Sequence, residues 1–288
     1  MLASVVTVLF NGIAYGMLLF IMSVGLSVTM GMMNFVNLAQ VSFSMLGGYV
    51  MVAVTQQFGI PFLASLPIAF VVVGIVSLAV ERTIFRHFYG TDDLTQVLLT
   101  IGLVFMSIAI VTYFWGGTYQ RVSVPSWLTG QQEMLGLTLE RYRVFLVIVG
   151  GALAIALVFG LERTRFGAIV RACVDNGRVA RACGLNTDLV FAVTFAVGGG
   201  LAGLAGALSA NLLGIDPNFP LRYLVYVLIV VSVGGMGTIS GTLIAGLVLG
   251  IADVAGKYYV PTLGGLVIYA ITVVVMLWRP RGLMGRGT

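Results

Sequence analysis

No charged side chain precedes Glu81 in this 288-residue chain. Such a stretch cannot form the surface of a water-soluble domain, where charged residues make up roughly a quarter of the composition. A hydrocarbon core takes ~20 apolar residues per helix, so the opening region has room for up to three membrane segments. Apolar runs continue beyond it, at about 5–30, 41–57, 61–80, 94–115, 143–161, 189–210, 222–233, 241–256 and 262–278. The runs are unbroken and lack period-two alternation, which excludes a membrane β-barrel. Pro61, Pro217, Pro220 and Pro261 fall between runs, where a missing backbone donor costs least. The expected fold is all-α, a polytopic transmembrane helical bundle with interrupted helices and eight or nine membrane segments, built as one domain over 1–288.

The whole composition agrees, with 59% hydrophobic and 9% charged residues. The start of the chain lacks a basic region ahead of its apolar run, so the first segment is expected to remain as a membrane helix rather than a cleaved leader. The net charge of +5 fits basic loops held on the cytoplasmic side, and there is no soluble basic face to bind nucleic acid. Chemistry on covalent bonds is not expected. The one histidine, His87, lies beside Arg86 in a polar loop without catalytic partners. The two cysteines, Cys173 and Cys183, are expected to be reduced thiols, and the chain has too few nitrogen and sulfur ligands for a metal site. No phosphate-binding loop or cofactor motif is present, so no cofactor is expected.

Residues 162–188 form the strongly polar connection, with Arg163, Arg165, Arg171, Arg178 and Arg181 set against Glu162, Asp175 and Asp188. A basic connection of this kind stays cytoplasmic. From Gly167 to Ala182 the residues can run as one short amphipathic helix. Arg171, Asp175, Arg178 and Ala182 would share a face, with Asp175 pairing to Arg171 or Arg178 and Gly184 stopping the helix. Such order suggests a docking surface for a soluble partner. Arg82 and Arg86 and the tail arginines Arg279, Arg281 and Arg286 belong on the same side, with the 116–142 loop on the far side.

Two breaks in the apolar pattern are alike. One runs from Gly31 through Asn34, Asn37 and Gln40 to Ser42 and Ser44, and the other from Gly234 through Thr238 and Ser240 to Thr242. Matched interruptions in two halves of a transporter point to a midplane path, because unwound backbone is tolerated where it lines a cavity. Asn34, Asn37, Gln40, Ser42, Ser44, Thr238 and Ser240 are therefore the candidate path residues, with two ordinary tight loops as the competing reading. Gly199, Gly203 and Ala207 recur every fourth residue and offer a smooth helix face, read as packing within the subunit rather than between subunits. Asp253 and Lys257, one helical turn apart, are read as a structural pair near the outer end of their helix.

The segment from Arg171 to Asn186 resembles the permeases of branched-chain amino acid ABC importers. Their cytoplasmic signature reads R-A-x-x-x-(D/N)-x-x-x-A-x-x-x-G-(I/L)-(N/D), and Ala180 and Gly184 stand at its alanine and glycine. Glu81-Arg82, Thr100-Ile101-Gly102-Leu103, Gly234-Gly235-Met236-Gly237-Thr238 and the ending Arg279-Pro280-Arg281-Gly282-Leu283-Met284-Gly285 are similar to further family segments. The resemblance implies a multi-pass subunit of the bacterial inner (plasma) membrane that is not itself an enzyme. It also implies two cytoplasmic ATP-binding subunits gripping Arg171, Asp175, Arg178, Ala180 and Gly184, and a periplasmic solute-binding protein. A second permease subunit, a longer paralogue, completes the assembly, since this chain lacks an N-terminal extension and looks like the shorter type. One departure stands out. The family commonly carries N-x-A-H-G after its first helix, where this chain has Asn37-Leu38-Ala39-Gln40-Val41. Branched-chain or related hydrophobic amino acids are the expected solutes, and the alternative is the same importer class carrying urea, short amides or aromatic or aliphatic carboxylates. A secondary transporter would need titrating groups buried mid-helix, which these runs scarcely offer. An ATPase-independent channel is separated by its lack of ATPase dependence.

Overall fold

The fold was analysed in a computed structural model. It describes the chain apart from residues 1, 34, 123, 135, 136, 163 and 286–288, and the backbone alone at 2, 3, 31–33, 133, 134, 137, 138, 161, 162, 174 and 175. The apolar runs become helices. In chain order these are α1 (Leu2–Met33), α2 (Gln40–Gln56), α3 (Phe62–Thr83), α4 (Asp93–Trp115), α5 (Arg141–Leu157), α6 (Arg165–Asp175), α7 (Gly177–Ala182), α8 (Thr187–Leu212), α9 (Phe219–Gly234), α10 (Ile239–Tyr259) and α11 (Gly264–Trp278). A 3₁₀ turn at Phe85–Phe88 follows α3, and a π turn at Val158–Glu162 extends α5. Among the described residues six helices are long and apolar enough to cross a membrane, and α9 and α11 are shorter apolar helices.

Glycine lets the central helices approach backbone to backbone. Gly12 and Gly16 of α1 face Ile251, Gly250 and Gly246 of the antiparallel α10, and a Cβ on Gly16 would stand 2.7 Å from the Gly246 carbonyl oxygen. In α8 a Cβ on Gly199 would collide with Ser77, and one on Gly203 would lie 2.6 Å from Val73 Cβ, both in α3. Ala207 is fully buried. The small-residue face of α8 thus packs inside the chain. Without a hydrophobic driving force between helices in lipid, such close approach is a main source of cohesion.

The bundle has two distinct ends. One carries α6 and α7, the 84–92 connection and the tail. The opposite end carries the start of α1, the end of α10 and the 116–140 loop. That loop contains an antiparallel hairpin, β1 (Gln131–Met134) with β2 (Leu137–Glu140), pairing Gln131 with Glu140, which the sequence reading did not foresee. The loop is pinned to the bundle by paired Gln120–Ile215 backbone hydrogen bonds of 2.7 and 2.9 Å. Asn211 adds a 3.1 Å bond from Nδ2 to the Val122 carbonyl.

Candidate functional site: the arginine elbow and the two helix breaks

The arginine-rich connection folds as two helices rather than one. Asn176 interrupts it with an extended backbone, and its Oδ1 accepts from Val179 N at 3.1 Å to cap α7. An asparagine offering its side chain to an orphan N–H competes with helix continuation at this point. The expected single helix over 167–182 is therefore corrected to an elbow. Asn186 repeats the device, accepting from Leu189 N at 3.0 Å and opening α8. Between them Gly184 adopts φ +84, and Leu185 N donates to the Ala180 carbonyl at 3.0 Å, so the stop expected at Gly184 is a glycine-closed turn. Arg181 Nε donates to Thr187 Oγ1 at 2.8 Å and ties the elbow to α8.

Gly167, Val170 and Cys173 line the buried side of α6, and Ala180 is the buried residue of α7. Arg178 and Gly184 are exposed and Arg171 is half-buried. The Asp175 side chain lies outside the described residues, so its pairing with Arg171 or Arg178 does too. Both cysteines are free thiols, with Cys173 buried and Cys183 exposed, and burial pushes the Cys173 thiol up from its ordinary pKa.

Beside the elbow, Glu81 is almost fully buried at the end of α3. It accepts from Tyr89 Oη at 2.8 Å and lies 3.5 Å from Arg82 Nε. Desolvation, then the hydrogen bond to Glu81, holds the Tyr89 phenol well above its usual range. Phe35 fills the adjoining space, 5.1 Å from Phe85 and 5.5 Å from Tyr89 between ring centroids. Glu81 thus ties the 84–92 connection to the end of α3, and Phe35 of the first helix break packs against that connection.

That break lies between α1 and α2 and is described from Phe35 to Ala39. Asn34 lies outside the described residues, while Asn37, Gln40, Ser42 and Ser44 are all buried. Gln40 Nε2 donates to the Gly198 carbonyl at 2.8 Å, and Asn37 Nδ2 lies 3.3 Å from Gln40 Oε1. Gly198 sits eleven residues into α8, so α2 starts ~16 Å along that helix, deep in the bundle. Ser44 packs its backbone on Gly206, and Ser42 faces a largely apolar cavity of about 350 Å³ between α2, α3 and α4.

The second break is a turn through Gly235 (φ +97) and Gly237 (φ +81), with Thr238 and Ser240 half-buried. The tail closes it. Leu283 N donates to the Val233 carbonyl at 2.7 Å and Met284 N to Gly234 at 3.2 Å, satisfying the last carbonyls of α9. Two of the family-like segments are therefore a turn and its lid, a partnership that sequence spacing alone does not signal. Thr242 Oγ1 lies 3.0 Å from Ser27 Oγ on α1, whereas Gly25 borders Gln40 and Gly198. Residues 25 and 27 are about 200° apart on a helix. Thr242 of the second break and Gln40 of the first thus stand on opposite sides of α1.

The Asp253–Lys257 pair forms as expected, with Nζ 2.6 Å from Oδ2. Among the described residues no group of three or more His, Cys, Asp or Glu could hold a metal ion.

A glycine-seamed membrane bundle with interrupted helices and a basic elbow at one end defines a transport subunit rather than an enzyme. The chain belongs to the family described as branched-chain amino acid transport system / permease component, which it matches over residues 8–276. It is similar to the high-affinity branched-chain amino acid transport system permease protein LivH of Escherichia coli (strain K12), at 28% identity over 96% of this chain and 94% of the relative. BraD of Pseudomonas aeruginosa, a permease protein of the same description, is 24% identical over 96% of this chain and 95% of its own. LivM of Escherichia coli, likewise so described, is 24% identical over 93% of this chain and 68% of its own length. No solved structure matches.

Proposed function

We propose that the chain is one of two membrane-spanning subunits of an ATP-driven importer in the inner (plasma) membrane, carrying branched-chain or related hydrophobic amino acids. The relatives' shared description as branched-chain amino acid permeases favours this solute class over urea, amides or simple carboxylates. The observation that carries the coupling role is the elbow, which presents Arg178 outward and is strapped to α8 at Thr187. Two ATP-binding subunits would hold it, and their closure and release would move α8 as a rigid lever between two states of the bundle.

Among the described residues eight basic ones, Arg82, Arg86, Arg165, Arg171, Arg178, Arg181, Arg279 and Arg281, belong to the elbow end. The positive-inside rule then puts that end in the cytoplasm. On this reading α1–α5 and α8–α11 are nine crossings of a single domain, with the N-terminus outside. A periplasmic solute-binding protein would dock at the hairpin end. Similarity to both LivH and LivM supports pairing with a longer paralogue as second permease subunit. Thr238 and Ser240 retain surface that a solute can meet, while Asn37, Gln40, Ser42 and Ser44 are buried among the helices around the path.

The test is uptake of labelled L-leucine by the reconstituted importer. Arg178→Glu, on an exposed side chain, is expected to lower ATP-driven uptake and transport-linked ATP hydrolysis together by about tenfold, equivalent to a lost charged contact, with thermal stability unchanged. Uptake at the normal rate in that variant would remove the elbow as the docking element.

A further inference from the structure

At the end opposite the elbow, five helices converge on an open cavity of about 430 Å³, within the range of small-molecule sites. Its wall holds Asp253 and Lys257 of α10, Arg222 of α9, Arg143 of α5 and Tyr15 of α1. Asp253 is 1% exposed, and only one of its carboxylate oxygens is used. Oδ2 takes Lys257 at 2.6 Å, while Oδ1 has no hydrogen-bond partner in the protein. A buried carboxylate oxygen without a donor is costly, and this one belongs to a residue that lines the cavity. The Lys257 ammonium already sits 5.9 Å from the centroid of the Tyr15 ring, so the local surroundings accept a cation.

The cations in the wall are matched one to one. Arg143 pairs with Glu140 at 2.7 Å, Arg222 with Asp216 at 3.0 Å and Lys257 with Asp253. A bare anion or a bare cation would unbalance this set, whereas a zwitterion adds no net charge. Arg222 binds Asp216 through one guanidinium nitrogen, Nη2, and its side chain is 47% exposed, so further donors remain for a carboxylate. Leu213 and Val254 supply apolar wall between the charged groups.

We propose that this cavity is an outer-side binding site for a free α-amino acid, with Asp253 Oδ1 accepting from the α-ammonium and Arg222 donating to the α-carboxylate. The assignment rests on the importer reading, because that reading places the cavity on the side from which solute arrives. It sharpens the solute class to molecules carrying both charges, which separates amino acids from amides and simple carboxylates.

The experiment uses the full importer in nanodiscs, with Cys183→Ser removing the exposed native thiol and Val254→Cys placing a reporter in the wall. The rate of modification by a small polar thiol reagent is measured with L-leucine, with 4-methylpentanoate (which lacks the amine) and with 3-methylbutylamine (which lacks the carboxylate). L-Leucine is expected to slow modification, and each fragment to need about tenfold more for the same protection. Adding Asp253→Asn is expected to make L-leucine no better than 4-methylpentanoate. Equal protection by leucine and either fragment, or unchanged leucine protection in Asp253→Asn, would overturn the proposal. Should Asp253→Asn not assemble, Arg222→Gln answers the same question, because leucine should then protect no better than 3-methylbutylamine. ATP-driven leucine uptake by the unaltered importer is measured in parallel. Uptake without protection removes this site and leaves the importer, whereas absence of uptake removes the importer reading itself.

Discussion

Gln40 Nε2 donates a 2.8 Å hydrogen bond to the Gly198 carbonyl and so joins the start of α2 to the interior of α8, 158 residues away in sequence. The side chain fits because Gly25 leaves a notch beside it. A Cβ on Gly25 would strike Gln40 Nε2 and stand 2.6 Å from the same carbonyl oxygen. Position 40 is also where the family resemblance leads one to expect histidine. An imidazole N–H can supply the same donor, so the departure from the pattern preserves a helix-to-helix bond and need not alter the solute.

Replacement at this position should therefore follow hydrogen-bonding capacity. Gln40→His is expected to keep the thermal stability of the purified subunit, and Gln40→Leu to lower it by about 1 kcal/mol. Gly25→Val should cost more, about 1–3 kcal/mol, by overpacking the notch. Thermal unfolding in detergent reads all three, and an unchanged Gln40→Leu would show that the bond contributes nothing.

Gly184 has φ +84, yet nothing lies within 4 Å of where its Cβ would be. Within this chain the residue is required for its backbone and not for space. Gly184→Ala should strain the turn by about 1–2 kcal/mol, as any L residue does in the left-handed region. Gly184→Asn, tolerant of that region, should retain more uptake than Gly184→Ala. Equal loss in the two variants would argue for a steric role instead.

The two cysteines should differ sharply toward maleimide. Cys183 is exposed at the end of the elbow, whereas Cys173 is 2% exposed and its thiol is pushed up by burial. Only the thiolate reacts, so labelling of inside-out vesicles should be lost with Cys183→Ser and kept with Cys173→Ser. Labelling of right-side-out vesicles by an impermeant reagent would place the elbow on the wrong face.

The tail should be a stability element. Gly282 has φ +81, and a Cβ there would come within 2.6 Å of Gly235 N and the Ser232 carbonyl oxygen. Removing the chain from Arg281 onward takes away the Leu283 donor to the Val233 carbonyl and leaves the Gly234 carbonyl with only the long 3.3 Å bond from Thr238 Oγ1, at about 1–3 kcal/mol for an unsatisfied buried group. A lower melting temperature is expected for the truncation and for Gly282→Ala. No shift in either would show that the α9 end needs no cap from the tail.

The helices and the small-residue face of α8 were legible because continuous apolarity and four-residue glycine spacing are local signals. The same spacing in Gly12-Gly16 and Gly246-Gly250 marks the α1–α10 seam and could have been read, but a glycine-rich chain offers many such pairs and gives no partner for any of them. The kink at Asn176 was missed because Arg171, Asp175, Arg178 and Ala182 fit one helical face equally well with or without it. What decides is a side-chain cap, and an asparagine in mid-pattern signals that only weakly. The docking of the tail on the second break joins residues 50 positions apart in sequence, and no periodicity carries that information. The breaks themselves were found, but not that α1 stands between them. Neutral polar residues near a break read alike whether they face a solute or hold a neighbouring helix.

Leu283 and Met284, which close the turn after α9, follow both α10 and α11 in the chain. Helices emerge in chain order, so the corner between α9 and α10 is laid down before its lid exists and is sealed only once two further helices are in place. A product cut short within α11 would insert most of its helices yet keep an open seam at that corner.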